Sequence, residues 1–309
     1  MNQTISLSQT MSAWKDTPTH TVDVGGTSFA YRQLGPRGGI PLVFLHHFTA
    51  VLDDWDPRVI DPIAEHRHVI TFDNRGIGAS GGKVPHTIAA MAADAAAFIR
   101  TLGHDHVDLL GFSLGGGVAQ EVALRNQDLV RRLILTGTGH RGGGGLTKMP
   151  LIVGGAYTKA ALARLDPRQF LFFKRDAVGK QAGTEYIARL SERTADRDKP
   201  ISHQARIAQL MAIREAGLGQ PDDLSQITQP TFVANGDNDV MVASSQSRAL
   251  AERIPNSKLE IYPNSGHGGI FQYHERFVPA VLEFLDADNP ILQAGGGKGK
   301  VVITIKETR

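Results

Sequence analysis

Short apolar runs alternate with longer mixed segments along most of this chain of 309 residues. Runs that are apolar at nearly every position are typical of strands buried on both faces of a parallel sheet. Four such runs are found at residues 42–45, 69–72, 107–110 and 133–135. Ahead of them, residues 20–24 and 27–33 alternate between apolar and polar positions around Gly25-Gly26, a pattern that predicts a β-hairpin.

Helix-like segments lie between and after these strands. Residues 87–102 are rich in alanine at helical spacing, and a second helical run covers residues 118–129. The alternation returns after residue 230, with strands at 231–234 and 259–262 and helices at 244–253 and 274–285. Alternating strands and helices predict an α/β fold: a mostly parallel twisted sheet with helices on both faces.

The alternation stops at Gly139, and no strand is predicted again before residue 230. Helical segments are predicted instead at residues 164–175, 184–193 and 203–216. The apolar run at residues 170–173 argues against a flexible linker, so we interpret this region as an inserted helical cap. The predicted organisation begins with a polar, weakly ordered N-terminal extension at residues 1–19. The core follows in two parts, residues 20–141 and 225–288, with the helical cap at residues 142–224 between them. A Gly-rich linker and C-terminal tail cover residues 289–309. Residues 301–305 favour a strand, which leaves open an edge strand, an oligomer contact or an added appendage.

Composition narrows the functional classes. The formal net charge is +2 and no run of lysine or arginine occurs, which argues against nucleic-acid and anionic-membrane partners. The absence of cysteine excludes disulfides, thiolate metal sites and cysteine nucleophiles. No signal peptide and no stretch of membrane-spanning length is found in the sequence. We therefore expect a cytoplasmic protein with a small-molecule substrate, and the oligomeric state stays open.

A serine at the apex of a strand-to-helix turn is the strongest chemical signal. Gly111-Phe112-Ser113-Leu114-Gly115 follows a buried strand and precedes a helix, as in a nucleophile elbow. Small residues are needed there because strand and helix pass closely around a strained backbone. A second match, centred on Ser80, has no strand before it and Lys83-Val84-Pro85 after it, so Ser80 is interpreted as a loop residue. We predict Ser113 as a catalytic nucleophile.

A serine nucleophile needs a base, and the base needs an orienting acid. His267 lies in a loop of small residues after the last strand, where the sheet presents its carboxyl edge. We predict His267 as the base, because flanking glycines would let the imidazole approach the serine. Two aspartates after the strand at 231–234 compete as the acid: Asp237 suits a turn role, and Asp239 is preferred.

Two backbone N–H groups are predicted to form the oxyanion hole. One belongs to Leu114, the residue after the nucleophile, and the other to Phe48 in the loop after the first buried strand. The neighbouring pair His46 and His47 has no further ligand at suitable spacing, so no metal site is predicted. No cofactor is expected either: the Gly-x-Gly after Asp73 lacks the third glycine and the helix start of a dinucleotide fingerprint.

Over about residues 20–286 the chain resembles the α/β-hydrolase superfamily, in its serine-nucleophile branch with a helical cap. The resemblance is carried by the ordered motifs at residues 45–48, 73–80, 111–115, 236–239 and 266–267. One departure is His47, which stands where the family usually has glycine. The order Ser113, Asp239, His267 is that of α/β-hydrolases. A serine in the nucleophile position points away from haloalkane dehalogenases and epoxide hydrolases.

We expect a serine hydrolase that cleaves carboxylic esters or lactones through an acyl-enzyme. A C–C bond hydrolase or a cofactor-free perhydrolase of the haloperoxidase type would use the same triad. A ligand receptor with a vestigial triad is a further alternative from another class. No motif in the sequence separates the substrates, because selectivity depends on the geometry of the cap.

Overall fold

A nine-stranded sheet runs through residues 13–288 and 301–304, the parts of the chain that the computed structural model describes. Its strands are β1 His20–Val24, β2 Thr27–Leu34, β3 Leu42–Leu45, β4 Val69–Phe72, β5 Val107–Phe112, β6 Val130–Thr136, β7 Thr231–Gly236, β8 Ser257–Tyr262 and β9 Val301–Thr304. The helices are α1 Pro57–Ala64, α2 Ile88–Thr101, α3 Leu114–Arg125, α4 Met149–Ala163, α5 Arg168–Leu171, α6 Ala177–Leu190, α7 His203–Leu218, α8 Ser244–Arg253, α9 Gly269–Gln272 and α10 His274–Asp286.

The sheet is mostly parallel, as predicted. Its strand order is β1-β2-β4-β3-β5-β6-β7-β8-β9. The strand β2 runs antiparallel to β1 and to β4, and every other neighbouring pair is parallel. Every residue of β3, β4, β5 and β7 is buried, so both faces of the central sheet are covered. Helix α2 packs on α3, and α1 packs on α10. The predicted α/β-hydrolase fold is confirmed.

Helix α1 is an element that the sequence analysis does not predict. Pro57 and Pro62 interrupt the helical pattern of apolar residues in α1. Pro57 is tolerated because it lies in the first turn, where a backbone N–H would have no acceptor within the helix. The Asp56 side chain caps the helix by accepting a hydrogen bond from the Arg58 N–H at 3.0 Å. Pro62 sits inside the helix, and the buried residues Val59 and Ile60 hold that stretch against the core.

Four helices, α4 to α7, fill the chain between β6 and β7, and no strand occurs among them in the described residues. The predicted helix at 164–175 is wrong in its extent: Arg164 adopts a left-handed backbone that ends α4, and α5 covers four residues. Ion pairs connect two of these helices to the segment between β3 and α1. Arg168 pairs with Asp54, and Arg189 pairs with Asp56 at 2.7 Å. The cap boundaries at 142 and 224 stay a prediction.

Residues 13–19, the described part of the predicted N-terminal extension, contact the core through Trp14. Trp14 is 2% exposed and lies under the Arg32 guanidinium, 5.3 Å from the ring centroid. The backbone N–H of Trp14 donates to Asp61 Oδ1 at 2.6 Å. At the other end, β9 pairs in parallel with β8, which corresponds to the edge-strand alternative for the tail. The rest of the predicted tail, and residues 1–12, lie outside the described residues. None of the described helices is long and apolar enough to span a bilayer.

Candidate functional site

Ser113 stands at a sharp turn between β5 and α3. Its backbone has φ 57° and ψ −115°, a strained conformation for a residue with a side chain, and its N–H donates to the Thr136 carbonyl at 2.8 Å. A Cβ at Gly115 would lie 2.1 Å from the Leu45 carbonyl oxygen, and a Cβ at Gly111 would lie 2.3 Å from the Gly115 carbonyl oxygen. The glycines are therefore required because α3 contacts both β3 and β5 backbone to backbone.

His267 and Asp239 form a fully buried pair. Nδ1 of the imidazole lies 2.7 Å from Oδ2 of Asp239, and neither side chain is exposed. The other carboxylate oxygen accepts the N–H groups of Met241 at 2.7 Å and Val242 at 2.9 Å. A carboxylate can only accept, so Nδ1 carries the proton and Nε2 presents its lone pair. Nε2 is buried and has no hydrogen-bond partner among the described residues.

Ser113 and His267 line the same small cavity at the carboxyl edge of the sheet. The ring of Phe112, the residue before the serine, lies 5.0 Å from the imidazole centroid and packs against it. The Ser113 hydroxyl does not hydrogen-bond to Nε2 in this conformation. Catalytic hydrogen bonds are often long before a substrate binds. The structure thus brings together the three side chains predicted from distant parts of the sequence, but the Ser113 hydroxyl and His267 Nε2 are not hydrogen-bonded to each other.

The predicted oxyanion donors lie at the start of α3 and just after β3. Neither the Leu114 N–H nor the Phe48 N–H donates to a protein acceptor in the described part of the chain. The next residue, Thr49, has a left-handed backbone with φ 67°, and its N–H donates at 2.8 Å to the Gln209 side chain on α7. Gln209 is fully buried, so α7 fixes the loop that carries Phe48; α4 to α7, between β6 and β7, are called the inserted segment below.

His47, the residue that departs from the family pattern, is packed among aromatic rings. Its centroid lies 5.3 Å from that of Phe112 and 5.1 Å from that of Phe172. Its Nδ1 lies 2.8 Å from the Phe48 carbonyl oxygen, and burial lowers its pKa to about 4. The neighbouring His46 contacts the Thr71 hydroxyl through Nε2 at 3.1 Å. The two imidazoles therefore face different partners.

The competing residues have structural roles. The Ser80 hydroxyl donates to the Asp73 carbonyl at 2.7 Å and accepts the Ala30 N–H at 2.9 Å. It is thus used within the turn and is unavailable as a nucleophile. Asp237 is exposed and accepts the Ser265 N–H at 3.2 Å, so it braces a loop and does not contact His267.

The glycines beside His267 serve a contact that the sequence analysis missed. A Cβ at Gly266 would lie 2.6 Å from the Phe172 carbonyl oxygen, which also accepts the Gly268 N–H at 2.8 Å. These glycines make room for the backbone and side chain of Phe172. Phe172 belonged to an apolar run in the sequence, but no local signal links it or Gln209 to the site.

A larger cleft extends from Ser113 along α3 and beneath the inserted helices. Its apolar lining is formed by Ile88, Leu114, Leu146, Met149, Ile213 and Val242. Its polar lining is formed by Gln120, Glu121, Thr138, His140, Arg141 and Asp222. A cleft beside Ser113 that is lined by both apolar and polar side chains suits a small organic substrate.

Comparisons with known proteins identify the family. The family model of the alpha/beta hydrolase fold matches residues 40–272. A solved structure of an alpha/beta hydrolase fold protein from Chitinophaga pinensis is 38% identical, with a TM-score of 0.85, covering 89% of this chain and 100% of that one. A non-heme haloperoxidase of Rhodococcus erythropolis is 30% identical over 79% of this chain and 90% of its own length. A Caulobacter protein named "Putative carbamate hydrolase RutD" is 28% identical over 76% of this chain and 86% of its own. The chain therefore belongs to the alpha/beta hydrolase fold family.

Proposed function

We propose that this protein is a serine hydrolase that cleaves a carboxylic ester or lactone through an acyl-enzyme. The observation that carries the proposal is the buried pair of His267 and Asp239, whose geometry leaves a lone pair on Nε2 beside the cavity of Ser113. A relative named as a carbamate hydrolase supports chemistry at a carbonyl group.

The arrangement supports a two-step acyl transfer. His267 Nε2 takes the hydroxyl proton as Ser113 Oγ attacks the carbonyl carbon, and the oxyanion accepts hydrogen bonds from the Leu114 and Phe48 N–H groups. The imidazolium then gives its proton to the departing alkoxide, which leaves an ester on Ser113. Water, deprotonated by the same imidazole, attacks this ester and releases the acid and the serine. Asp239 stabilises the imidazolium in each step.

The proposal is tested with esters and lactones on purified protein. The Ser113→Ala variant should lose about 10³-fold or more in kcat toward 4-nitrophenyl butyrate and a γ-lactone. Ser80→Ala, the matched control from the competing motif, should keep its activity at a temperature where circular dichroism shows it folded. Activity retained in Ser113→Ala would contradict the proposal.

Perhydrolysis is a second candidate, favoured by the similarity to a haloperoxidase of Rhodococcus erythropolis. Hydrogen peroxide would replace water in the second step, so that the acyl group leaves Ser113 as a peracid, which then oxidises bromide. Bromination of monochlorodimedone with acetate, peroxide and bromide measures this reaction. A rate that exceeds ester hydrolysis would favour perhydrolysis. A C–C bond hydrolase would instead cleave a vinylogous diketone, and a receptor would turn over none of these compounds.

A further inference from the structure

The turn that carries Phe48 has a conformation that its own sequence does not favour. The Ala50 N–H donates to the His47 carbonyl oxygen at 3.2 Å, so residues 47–50 form a β-turn with Phe48 and Thr49 at its two corners. Thr49, at the second corner, has φ 67°. A positive φ at this corner is usually found with Gly or Asn, and a β-branched residue is strained there. Contacts from outside the turn must therefore hold this conformation.

Two side chains bind the peptide group between the corners, one at each end. Nδ1 of His47 lies 2.8 Å from the Phe48 carbonyl oxygen, and because a carbonyl oxygen can only accept, Nδ1 donates. At the other end, the Thr49 N–H donates to Oε1 of Gln209 at 2.8 Å. A turn with a positive φ at the second corner differs from a type I turn mainly in the rotation of this central peptide group. Both hydrogen bonds would be lost if the peptide group rotated.

The bond to Gln209 joins distant parts of the chain in the interior. Gln209 lies on α7, 160 residues after Thr49, and is fully buried. Its Nε2 is buried as well and has no hydrogen-bond partner among the described residues. A buried amide with an unpaired donor is less favourable than an apolar side chain of similar size. Packing alone therefore does not explain a glutamine here, whereas an apolar side chain could not accept the Thr49 N–H.

The same turn sets the direction of the proposed oxyanion donor. The Phe48 N–H belongs to the first corner and donates to no protein acceptor in the part of the chain that the structure describes. Phe48 and Ser113 line the same small cavity. Because no hydrogen bond of its own holds this N–H, its direction depends on the conformation of the turn. Donors that are already oriented before the reaction are the ones that stabilise an oxyanion.

We propose that Gln209, together with His47, positions the oxyanion hole by holding the peptide group between Phe48 and Thr49. Both side chains act through the backbone of the turn, so they are positioning residues. The inference rests on the proposed function, because the oxyanion forms only during acyl transfer. Without the bond from Thr49 to Gln209, the peptide group rotates in part of the molecules and the Phe48 N–H loses its direction. An interaction made only in the transition state lowers kcat and leaves KM nearly unchanged.

Gln209→Met tests this role, because it removes the acceptor and nearly keeps the size of the side chain. Its kcat for 4-nitrophenyl butyrate should fall about 10- to 100-fold, up to the loss expected when an oxyanion donor is removed outright, and KM should stay within about threefold of the wild type. The inhibitor 1,1,1-trifluorooctan-2-one adds to a catalytic serine and forms an oxyanion. Its affinity should weaken by the same factor as kcat/KM, since it resembles the transition state.

Gln229→Met is the matched control. Gln229 is also a buried glutamine, and its side chain makes one hydrogen bond, to the Gln127 carbonyl oxygen at 3.1 Å. It precedes β7 and lines neither cavity beside Ser113. Its kcat and inhibitor affinity should equal those of the wild type at a temperature where circular dichroism shows every variant folded. If Gln209→Met does not fold, Gln209→Asn withdraws the same acceptor by one methylene and should give the same result.

A second substitution in the turn separates positioning from packing. Thr49→Gly makes a positive φ free of strain, so the turn depends less on Gln209. The loss in kcat caused by Gln209→Met should therefore be at least about threefold smaller in the Thr49→Gly background than in the wild type. Thr49→Ala removes most of the same side chain without favouring a positive φ. In that background, the loss caused by Gln209→Met should be as large as in the wild type.

The outcomes distinguish this inference from the proposed function. A folded Gln209→Met protein that hydrolyses the ester as fast as the wild type would overturn the positioning role and leave the hydrolase proposal standing. A loss confined to KM, or one that is equally large in the Thr49→Gly background, would overturn it as well and assign Gln209 to substrate binding or to packing. A wild-type protein that turns over no ester and no lactone would instead contradict the proposed function, and this inference with it.

Discussion

The Asp239 carboxylate determines which nitrogen of His267 is basic. One of its oxygens is held by two backbone N–H groups and the other by Nδ1 of the imidazole, so the carboxylate cannot rotate without losing hydrogen bonds. The proton on Nδ1 is a consequence of this arrangement, and so is the lone pair on Nε2. Asp237, two residues earlier, carries the same chemical group but is exposed.

Asp239→Asn tests this role. The amide can donate to Nδ1, which then carries no proton, and Nε2 becomes the protonated nitrogen and can no longer act as a base. We expect kcat for ester hydrolysis to fall by about 10³ to 10⁴ with little change in melting temperature. The Asp237→Asn control should stay within about twofold of the wild type. Equal losses in the two variants would contradict the assignment of the acid.

His47 is kept neutral by its surroundings, which makes stability depend on pH. Burial is the largest cause that lowers its pKa to about 4, compared with about 6.5 in the unfolded chain. Between these values the unfolded chain binds a proton that the folded protein does not. The contribution of His47 to the free energy of unfolding is therefore constant above pH 6.5 and decreases as the pH falls toward 4.

His47→Gln should remove this dependence. The free energy of unfolding, measured with urea at several pH values, should fall more steeply in the wild type than in the variant, by about 1 kcal/mol per pH unit between pH 6 and 4.5. Other buried groups titrate in both proteins, so the difference between the two curves isolates His47. Parallel curves would show that the imidazole is not desolvated in the folded protein.

At the scale of elements, the turn between β5 and α3 depends on the close approach of β3. The Leu45 carbonyl oxygen lies 2.1 Å from where a Cβ at Gly115 would be, and this close approach brings the loop of Phe48 beside Ser113. The proposed nucleophile Ser113 and the proposed oxyanion donor Phe48 therefore belong to one packing arrangement.

Two glycine-to-alanine substitutions separate this contact from general helix effects. Gly115→Ala should destabilise the protein by about 3 kcal/mol or more, because backbone atoms would have to move. Gly154→Ala, at an exposed position of α4 with nothing within 4 Å of the new Cβ, should stabilise it by about 0.5–1 kcal/mol. Urea unfolding measures both. A tolerated Gly115→Ala would contradict the backbone contact described here.

The sequence predicts the sheet well and the inserted segment poorly, for physical reasons. Buried strands are marked by unbroken apolar runs, so β3 and β4 have the predicted bounds. Helix α4 is more difficult to predict from the sequence, because it is apolar without a clear periodicity and contains Gly154 and Gly155. The triad residues follow strands in a recognisable order, but the contacts of Phe172 and Gln209 with the site join distant segments, and no local pattern encodes them.

At the scale of the whole molecule, buried ion pairs connect the inserted helices to the sheet. Arg32 is fully buried and binds both Asp53 at 2.8 Å and Asp198 at 3.0 Å, and Arg189 of α6 binds the buried Asp56. Separating such groups would leave charges uncompensated in the interior, which costs about 3–5 kcal/mol per pair. The inserted helices are therefore not expected to detach while the sheet stays folded.

Calorimetry tests this coupling. We expect one cooperative thermal transition at pH 7, with a calorimetric enthalpy equal to the van't Hoff enthalpy. Hydrogen exchange should give similar opening free energies for the core amides of α7 and of β5. Two resolved transitions, or exchange in α7 that is far faster than in β5, would mean that the inserted segment unfolds by itself.

The most direct test of the central claim is covalent labelling of the nucleophile. The protein is incubated with phenylmethylsulfonyl fluoride, and its intact mass and peptides are measured by mass spectrometry. We predict one adduct, located on Ser113, which is absent in Ser113→Ala and forms far more slowly in His267→Gln. A protein that stays unlabelled, or an adduct on Ser80, would contradict the claim that His267 activates Ser113.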